Sequence, residues 1–192
     1  MDRHTSRLWL LFNRAEGGEK VSKGGDLLVT YYTDNHGASF APVCDITRTT
    51  KPAGMGWLAN TFSGVQFHSG RLAICTVYLE HQTIAYPITH SRAALLVSDD
   101  HGQNWQFLLP GSPDGAEMSE CAIAQLTNGT VVMNARDYLG QRNYSVNRAI
   151  MWSDSEGTNW SKPYFAPDLP TPIYIYAKAR WSSVSTLQLP WA

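Results

Sequence analysis

Ser98-Asp99-Asp100-His101-Gly102-Gln103-Asn104-Trp105 decides the fold of this chain, because the octapeptide returns twice in altered form. Ser153-Asp154-Ser155-Glu156-Gly157-Thr158-Asn159-Trp160 keeps the Ser, the Gly and the closing Trp. Thr33-Asp34-Asn35-His36-Gly37-Ala38-Ser39-Phe40 keeps a hydroxyl, the Gly and a closing aromatic. The starts at 33, 98 and 153 lie 65 and 55 residues apart, the spacing of a repeated supersecondary unit. A Ser or Asp side chain can hydrogen-bond backbone amides a few residues on and hold a turn. The Gly takes a backbone conformation that side chains disfavour, and the aromatic buries its ring between neighbouring elements. Apolar runs precede all three copies: Leu27–Tyr32, Ala93–Val97 and Ala149–Trp152. The alternative, three unrelated Asp/Gly turns, does not explain why each ends in an aromatic. The repeat predicts several similar β-units, each turning at its octapeptide.

Composition agrees. With 192 residues, 15 Gly, 7 Trp and 9 Tyr, the chain suits one all-β domain with many turns. A net charge of −1 leaves no basic stripe for nucleic acid. No apolar run approaches the roughly 20 residues of a membrane span, and Leu8–Phe12 behind Met1–Arg7 is too short for a signal peptide. Cys44, Cys75 and Cys121 lack metal-ligand spacing and read as buried free thiols. Asn128-Gly-Thr130, Asn143-Tyr-Ser145 and Asn159-Trp-Ser161 are N-glycosylation acceptors, a weak pointer to a secretory or lysosomal route.

Arg7–Asn13 and Asp26–Thr33 read as strands joined by the polar stretch Arg14–Gly25, and a loop is expected over Pro42–Ser63. Gly64–Phe67 and Arg71–Leu79 pair around His68-Ser69-Gly70. Ser91–Val97 and Trp105–Leu109 flank the central octapeptide, and Arg148–Ser153 and Trp160–Tyr164 flank the last. No amphipathic helix of three turns or more is found. Pro167–Pro172 breaks the β pattern, which predicts a domain over 1–172 and an unassigned tail over 173–192.

The best-defined hairpin is Glu120–Leu126 and Thr130–Arg136, joined through Asn128-Gly129. Glu120 and Arg136 lie at its same end. A two-residue loop pairs Cys121 with Arg136 and sends Glu120 and Arg136 to opposite faces. A three-residue loop with a left-handed Gly129 pairs Glu120 with Arg136 directly. The residues alone leave both registers open. They also leave open whether the pair is a site or a surface ion pair worth under about 1 kcal/mol.

The octapeptide resembles the Asp-box, S-x-D-x-G-x-[TS]-W, of the sialidase (neuraminidase) family of six-bladed β-propellers. Ser98, Asp100, Gly102 and Trp105 match it, as do Ser153, Gly157 and Trp160, with Asn35 and Ser155 in place of the Asp elsewhere. Glu120, Leu126, Gly129, Asn134 and Arg136 fit the family frame E-x-x-x-x-x-L-x-x-G-x-x-x-x-N-x-R. Ser63–Phe67 with Gly70-Arg71-Leu72 is similar to the segment before the second Asp-box, and Leu95–Gly102 is close to the animal lysosomal form. The resemblance covers about residues 3–172 and implies a six-bladed propeller of which about three blades are represented.

The chemistry so implied is hydrolysis of a terminal α-linked sialic acid with retention, on glycoproteins, oligosaccharides or gangliosides, without cofactor or metal. Sialidases clamp the substrate carboxylate with three arginines, of which Arg136 matches the second. Their nucleophile is a Tyr, whose proton is taken by a Glu that Glu120 matches. The first Arg and the acid/base Asp of the family lie upstream of the region that Asp2-Arg3 and Arg7–Leu10 match. The third Arg and the Tyr come from later blades, and no motif around Tyr174, Tyr176 or Arg180 carries them. The chain therefore reads as part of a longer sialidase, expected to be poorly soluble and inactive alone. The alternative is a non-catalytic propeller segment that binds glycan or protein.

Among other polar residues, His36 and His101 read as solvated turn residues, and Asp99 and Asp100 lie on a turn far from the family's centre. Tyr78, Glu80 and His81 fall near the region that shapes the sugar pocket. The resemblance favours a lysosomal or secretory route, and the expected partner is a sialylated glycan.

Overall fold

The computed structural model describes residues 1–15, 26–50, 58–80, 90–110, 118–137 and 147–170. Among them, every regular element except the single helical turn α1 (Thr47–Thr50) is a β-strand. Strands β1 (Leu8–Ala15), β2 (Asp26–Thr33) and β3 (Ala41–Asp45) form one antiparallel sheet. A second contains β4 (Leu58–Gln66), β5 (Leu72–Glu80), β6 (His90–Ser98) and β7 (Gln106–Leu108), paired in chain order. The third contains β8 (Met118–Gln125), β9 (Val131–Asp137), β10 (Asn147–Ser153) and β11 (Tyr164–Pro170), also in chain order. The octapeptides join β2 to β3, β6 to β7 and β10 to β11. The strands of the first sheet therefore correspond to the second, third and fourth of the others. Each sheet is one blade of a β-propeller.

Two expectations are corrected. The stretch 42–63 is not one loop: β3, α1 and the start of β4 lie within it. The last strand starts at Tyr164 and runs through Pro167 to Pro170, instead of spanning 160–164. Proline survives there because β11 is an edge strand, where one side of the backbone owes no ladder hydrogen bond. The tail 173–192, Cys44's side chain and His81 lie outside what is described.

The three octapeptides adopt one turn. The leading hydroxyl accepts a hydrogen bond from the glycine amide in each: Thr33 from Gly37 at 3.0 Å, Ser98 from Gly102 at 2.8 Å and Ser153 from Gly157 at 3.0 Å. The third residue accepts from an amide four positions on, through Asn35, Asp100 and Ser155 alike, at 2.8–2.9 Å. Asparagine and serine thus serve where the aspartate is missing, because the turn needs an acceptor rather than a charge. The fourth and fifth residues are left-handed throughout, with φ of 57° and 90°, 59° and 86°, and 48° and 86°.

The core lies between the sheets. Phe67, Cys75, Leu95 and Val97 of the second blade pack on Met118, Ile123, Met133 and Met151 of the third. Leu72, Leu96 and Trp105 of the second meet Trp9, Leu11 and Ile46 of the first. Alternation does the sorting: Trp9 and Leu11 face the second blade, while Leu8, Leu10 and Phe12 on the opposite face are exposed.

Candidate active site

The Asn-Gly hairpin adopts the three-residue register. Leu126 N donates to Thr130 O at 2.8 Å, Gly129 N donates to Leu126 O at 3.0 Å, and Gly129 has φ 94°. Pairing then proceeds from Gln125↔Val131 to Cys121↔Ala135, after which Met118 faces Asp137. Strand β8 spends one more residue than β9 on that last step, so Ser119 and Glu120 both lie opposite Arg136. A bulge of this kind kinks the strand and re-aims a side chain. Here alternation along β8 stays regular through Glu120, which the hairpin register already sets against Arg136, and the step falls at Met118 and Ser119, both buried. Glu120 Oε1 accepts a hydrogen bond from Arg136 Nη1 at 3.1 Å, with Glu120 34 % and Arg136 12 % exposed.

Asn134 and Arg136 stand two apart on β9 and so share a face, and Arg148 on β10 lies directly opposite Arg136. Arg148 Nε donates to Asn134 Oδ1 at 2.5 Å, and its Nη2 to the carbonyl oxygens of Asn134 at 3.2 Å and Glu120 at 3.4 Å. Burial pulls the Arg148 pKa down; attraction to Glu120 opposes that, and repulsion from Arg136 adds to it. The group stays cationic at neutral pH. Ser119, next in the chain to Glu120, has a buried hydroxyl without a hydrogen-bond partner among the described residues. The cluster combines one carboxylate open to solvent with two guanidinium groups, so it can accept a proton at Glu120 and attract an anion beside it.

This cluster occupies the end of the third blade opposite its octapeptide, about 17 Å along β10 from Ser153 at the usual rise per residue. Arg148 was not singled out from sequence. Its only signal is an Arg leading the apolar run 149–152, and its contact with Asn134 and Glu120 depends on strand pairing.

The remaining candidates lie elsewhere. Asp99 pairs with Arg71 at 2.6 Å, and Asp100 is taken up by Ser98 and Asn104 within its own turn, so they are not a catalytic carboxylate pair. His36 is exposed. His101, expected to be simply solvated, stacks on His4 at 4.7 Å and meets Asp2 Oδ2 at 3.0 Å. The expectation failed because Asp2 reaches this turn across 99 residues of sequence. The backbones of Tyr78 and Glu80 pair with Arg92 and His90. Cys75 and Cys121 are buried free thiols, and burial together with the neighbouring Cys121 thiol pushes the Cys75 thiol up. Among the described residues no three His, Cys, Asp or Glu side chains are grouped to hold a metal ion, and no helix is long and apolar enough to cross a membrane.

No family model and no curated protein sequence matches the chain. Solved structures do. Hadza microbial sialidase Hz136 superposes with a TM-score of 0.69 at 20 % identity, over 84 % of this chain and 31 % of that one. The chain has a sialidase-like β-propeller fold. The intramolecular trans-sialidase of Ruminococcus gnavus, in complex with oseltamivir carboxylate, gives a TM-score of 0.58 at 18 % identity, over 85 % of this chain and 35 % of that one. The leech intramolecular trans-sialidase, in complex with 2,7-anhydro-Neu5Ac, gives 0.58 at 22 %, over 74 % and 19 %. This sialidase-like chain thus spans about a third or less of the length of these structures.

Proposed function

We propose that the chain is the part of a retaining exo-α-sialidase that carries its general base and one arm of its carboxylate clamp. The observation that supports this most is the hairpin register that sets Glu120 against Arg136, at 3.1 Å, at the blade end away from the octapeptides. In this reading Arg136 donates to the carboxylate of a terminal sialic acid. Glu120 takes the proton of a tyrosine hydroxyl supplied by a later blade. As that proton leaves, the phenolic oxygen bonds to the anomeric carbon and the glycosidic bond breaks, and an acid from an earlier blade protonates the leaving oxygen. A neutral phenol suits this centre because an anionic nucleophile would be repelled by the adjacent carboxylate. Glycoproteins, oligosaccharides and gangliosides all present such a terminus.

Release of a fluorophore from an α-sialoside at pH 4.5 and 7 tests this, by the 192-residue chain and by the chain extended with its flanking coding sequence. Activity is expected in the extended form. There Glu120→Gln is expected to slow kcat by about 100-fold or more, and Arg136→Lys chiefly to raise KM, because an ammonium cannot bind a carboxylate bidentately. Near-normal kinetics in both variants would remove this hairpin from the site. Silence of both forms would favour a propeller segment that binds glycan or protein without cleaving it.

A further inference from the structure

Glu120 and Arg136 belong to neighbouring strands, but what ties them together comes from a third. Arg148 extends from β10 over β9 to the backbone of β8, ending on the carbonyl of Glu120. On the way it donates to Asn134 Oδ1 and to the Asn134 carbonyl. The guanidinium thus touches the two strands that hold the base and the clamp, without a hydrogen bond to either functional side chain. Its far contact lies beside the bulge, the step where β8 departs from regular pairing with β9. A residue there lacks part of the ladder that pins its neighbours, so its backbone needs another restraint. The planar fork of arginine bonds several acceptors at once in a fixed geometry, which a lysine cannot do.

Charge adds a second constraint. Arg148 lies directly opposite Arg136, and two like charges across a ladder repel. The Arg148 head is engaged with Asn134 and the Glu120 carbonyl, and the Glu120 carboxylate that Arg136 meets offsets the like charge. Removal of Arg148 loosens the Glu120 backbone and with it the carboxylate to which Arg136 donates.

We propose that Arg148 is a positioning residue of this site, a strap across three strands that holds the Glu120 backbone and orients Arg136 against its carboxylate. The proposal deepens the sialidase reading and rests on it for its functional meaning, but the strap itself can be measured without turnover. The probe is the 192-residue chain with 15N-labelled arginine side chains, observed by hydrogen exchange of the Arg136 guanidinium protons, alongside the amide spectrum of β8 and β9. Arg148→Met is expected to speed that exchange about tenfold or more, the size expected from losing one charge-assisted hydrogen bond. Amides at Ile123–Gln125 and Val131–Met133 are expected to keep their shifts.

Arg148→Lys is the gentler variant, keeping the charge and losing the fork. It is expected to behave like Arg148→Met, whereas full restoration by Lys would overturn the strap. Unchanged Arg136 exchange in both variants, or a uniform loss of amide dispersion with no local effect in the Lys variant, would overturn it too. Sialoside kinetics on the extended form separate the two claims. Arg148→Lys is expected to lower kcat while KM shifts less than Arg136→Lys shifts it. If Glu120→Gln leaves turnover intact, the sialidase reading fails, while the exchange measurement still decides the strap.

Discussion

At the scale of single residues, the left-handed glycines separate backbone conformation from packing. Gly102 and Gly129 both have positive φ, at 86° and 94°. A Cβ on Gly129 would meet nothing within 4 Å, whereas one on Gly102 would lie 2.2 Å from the Trp9 ring. Gly129→Ala is therefore expected to cost only the conformational penalty, about 1–2 kcal/mol. Gly102→Ala adds an overlap with a rigid indole held between two blades, for a further ~1–3 kcal/mol. Denaturant unfolding of the two variants checks the order, and equal losses would mean that Trp9 moves aside freely. Trp9 was legible in sequence only as a strand residue. Its contact with a glycine 93 positions away belongs to the packing of one blade on the next.

The element that repeats is a turn with a fixed set of acceptors, and the copies differ in how well they fill it. In the central octapeptide the Asp100 carboxylate accepts from Asn104 N at 2.8 Å, Asn104 Nδ2 at 2.6 Å and Ser98 Oγ at 2.8 Å. In the last, Ser155 Oγ accepts from Asn159 N at 2.8 Å and shares a contact with Ser153 Oγ at 3.3 Å. Ser155→Asp is expected to supply the missing charge-assisted bonds and to raise stability by roughly 0.5–1.5 kcal/mol. Thermal unfolding reads this directly; a fall in Tm would mean that the neighbouring Asp154 and Glu156 repel the new charge. A further feature of the turn is invisible in any one copy. The second residue binds the residue just before the blade's second strand: Asp34 to Arg7 at 2.8 Å, Asp99 to Arg71 at 2.6 Å and Asp154 to Thr130 at 2.8 Å. Each bond closes one blade on itself, across 27, 28 and 24 residues.

For the whole molecule the relevant bonds run between blades. Gln66 of the second blade accepts from Arg3 N at 2.7 Å, and Gln125 of the third accepts from His68 N at 2.6 Å. Each glutamine also donates, at 3.0 Å, to a carbonyl of its own hairpin turn, Gly70 or Gly129. The fourth octapeptide residue reaches back likewise: His101 to Asp2, and Glu156 to Ser69 Oγ at 2.6 Å. Asp2 is the buried member of this set. Burial alone would raise its carboxyl pKa, but Thr5, the His4 amide, Gln66 and His101 outweigh it and bring it down to about 2 from 3.8. A carboxylate with a depressed folded pKa contributes stability that is complete above the unfolded value and lost as pH falls through the folded one. The contact between the first two blades is therefore expected to lose about 2 kcal/mol between roughly pH 4 and 2. Asp2→Asn is expected to be less stable at neutral pH and to show a flatter dependence below pH 4. An unchanged acid profile in that variant would assign the loss to other carboxylates.

Neighbouring residues settle only what is local. The octapeptides mark three turns because hydroxyl, acceptor, glycine and aromatic act within eight neighbouring residues, and Asn128-Gly129 marks a hairpin for the same reason. Those signals carry the blade architecture and place Glu120 and Arg136 at one end of a hairpin. They do not choose between two loop registers, and the choice decides whether the two residues meet. Gly129's left-handed φ and the Leu126–Thr130 backbone bond make that choice, and the pairing of β8 with β9 carries it to Glu120 and Arg136. Arg148 reaches the site by pairing of β10 with β9, and His101 reaches Asp2 by packing of one blade on another. Short-range hydrogen bonds are written into adjacent residues. Contacts that close only after the sheets have paired and stacked are decided by the tertiary structure.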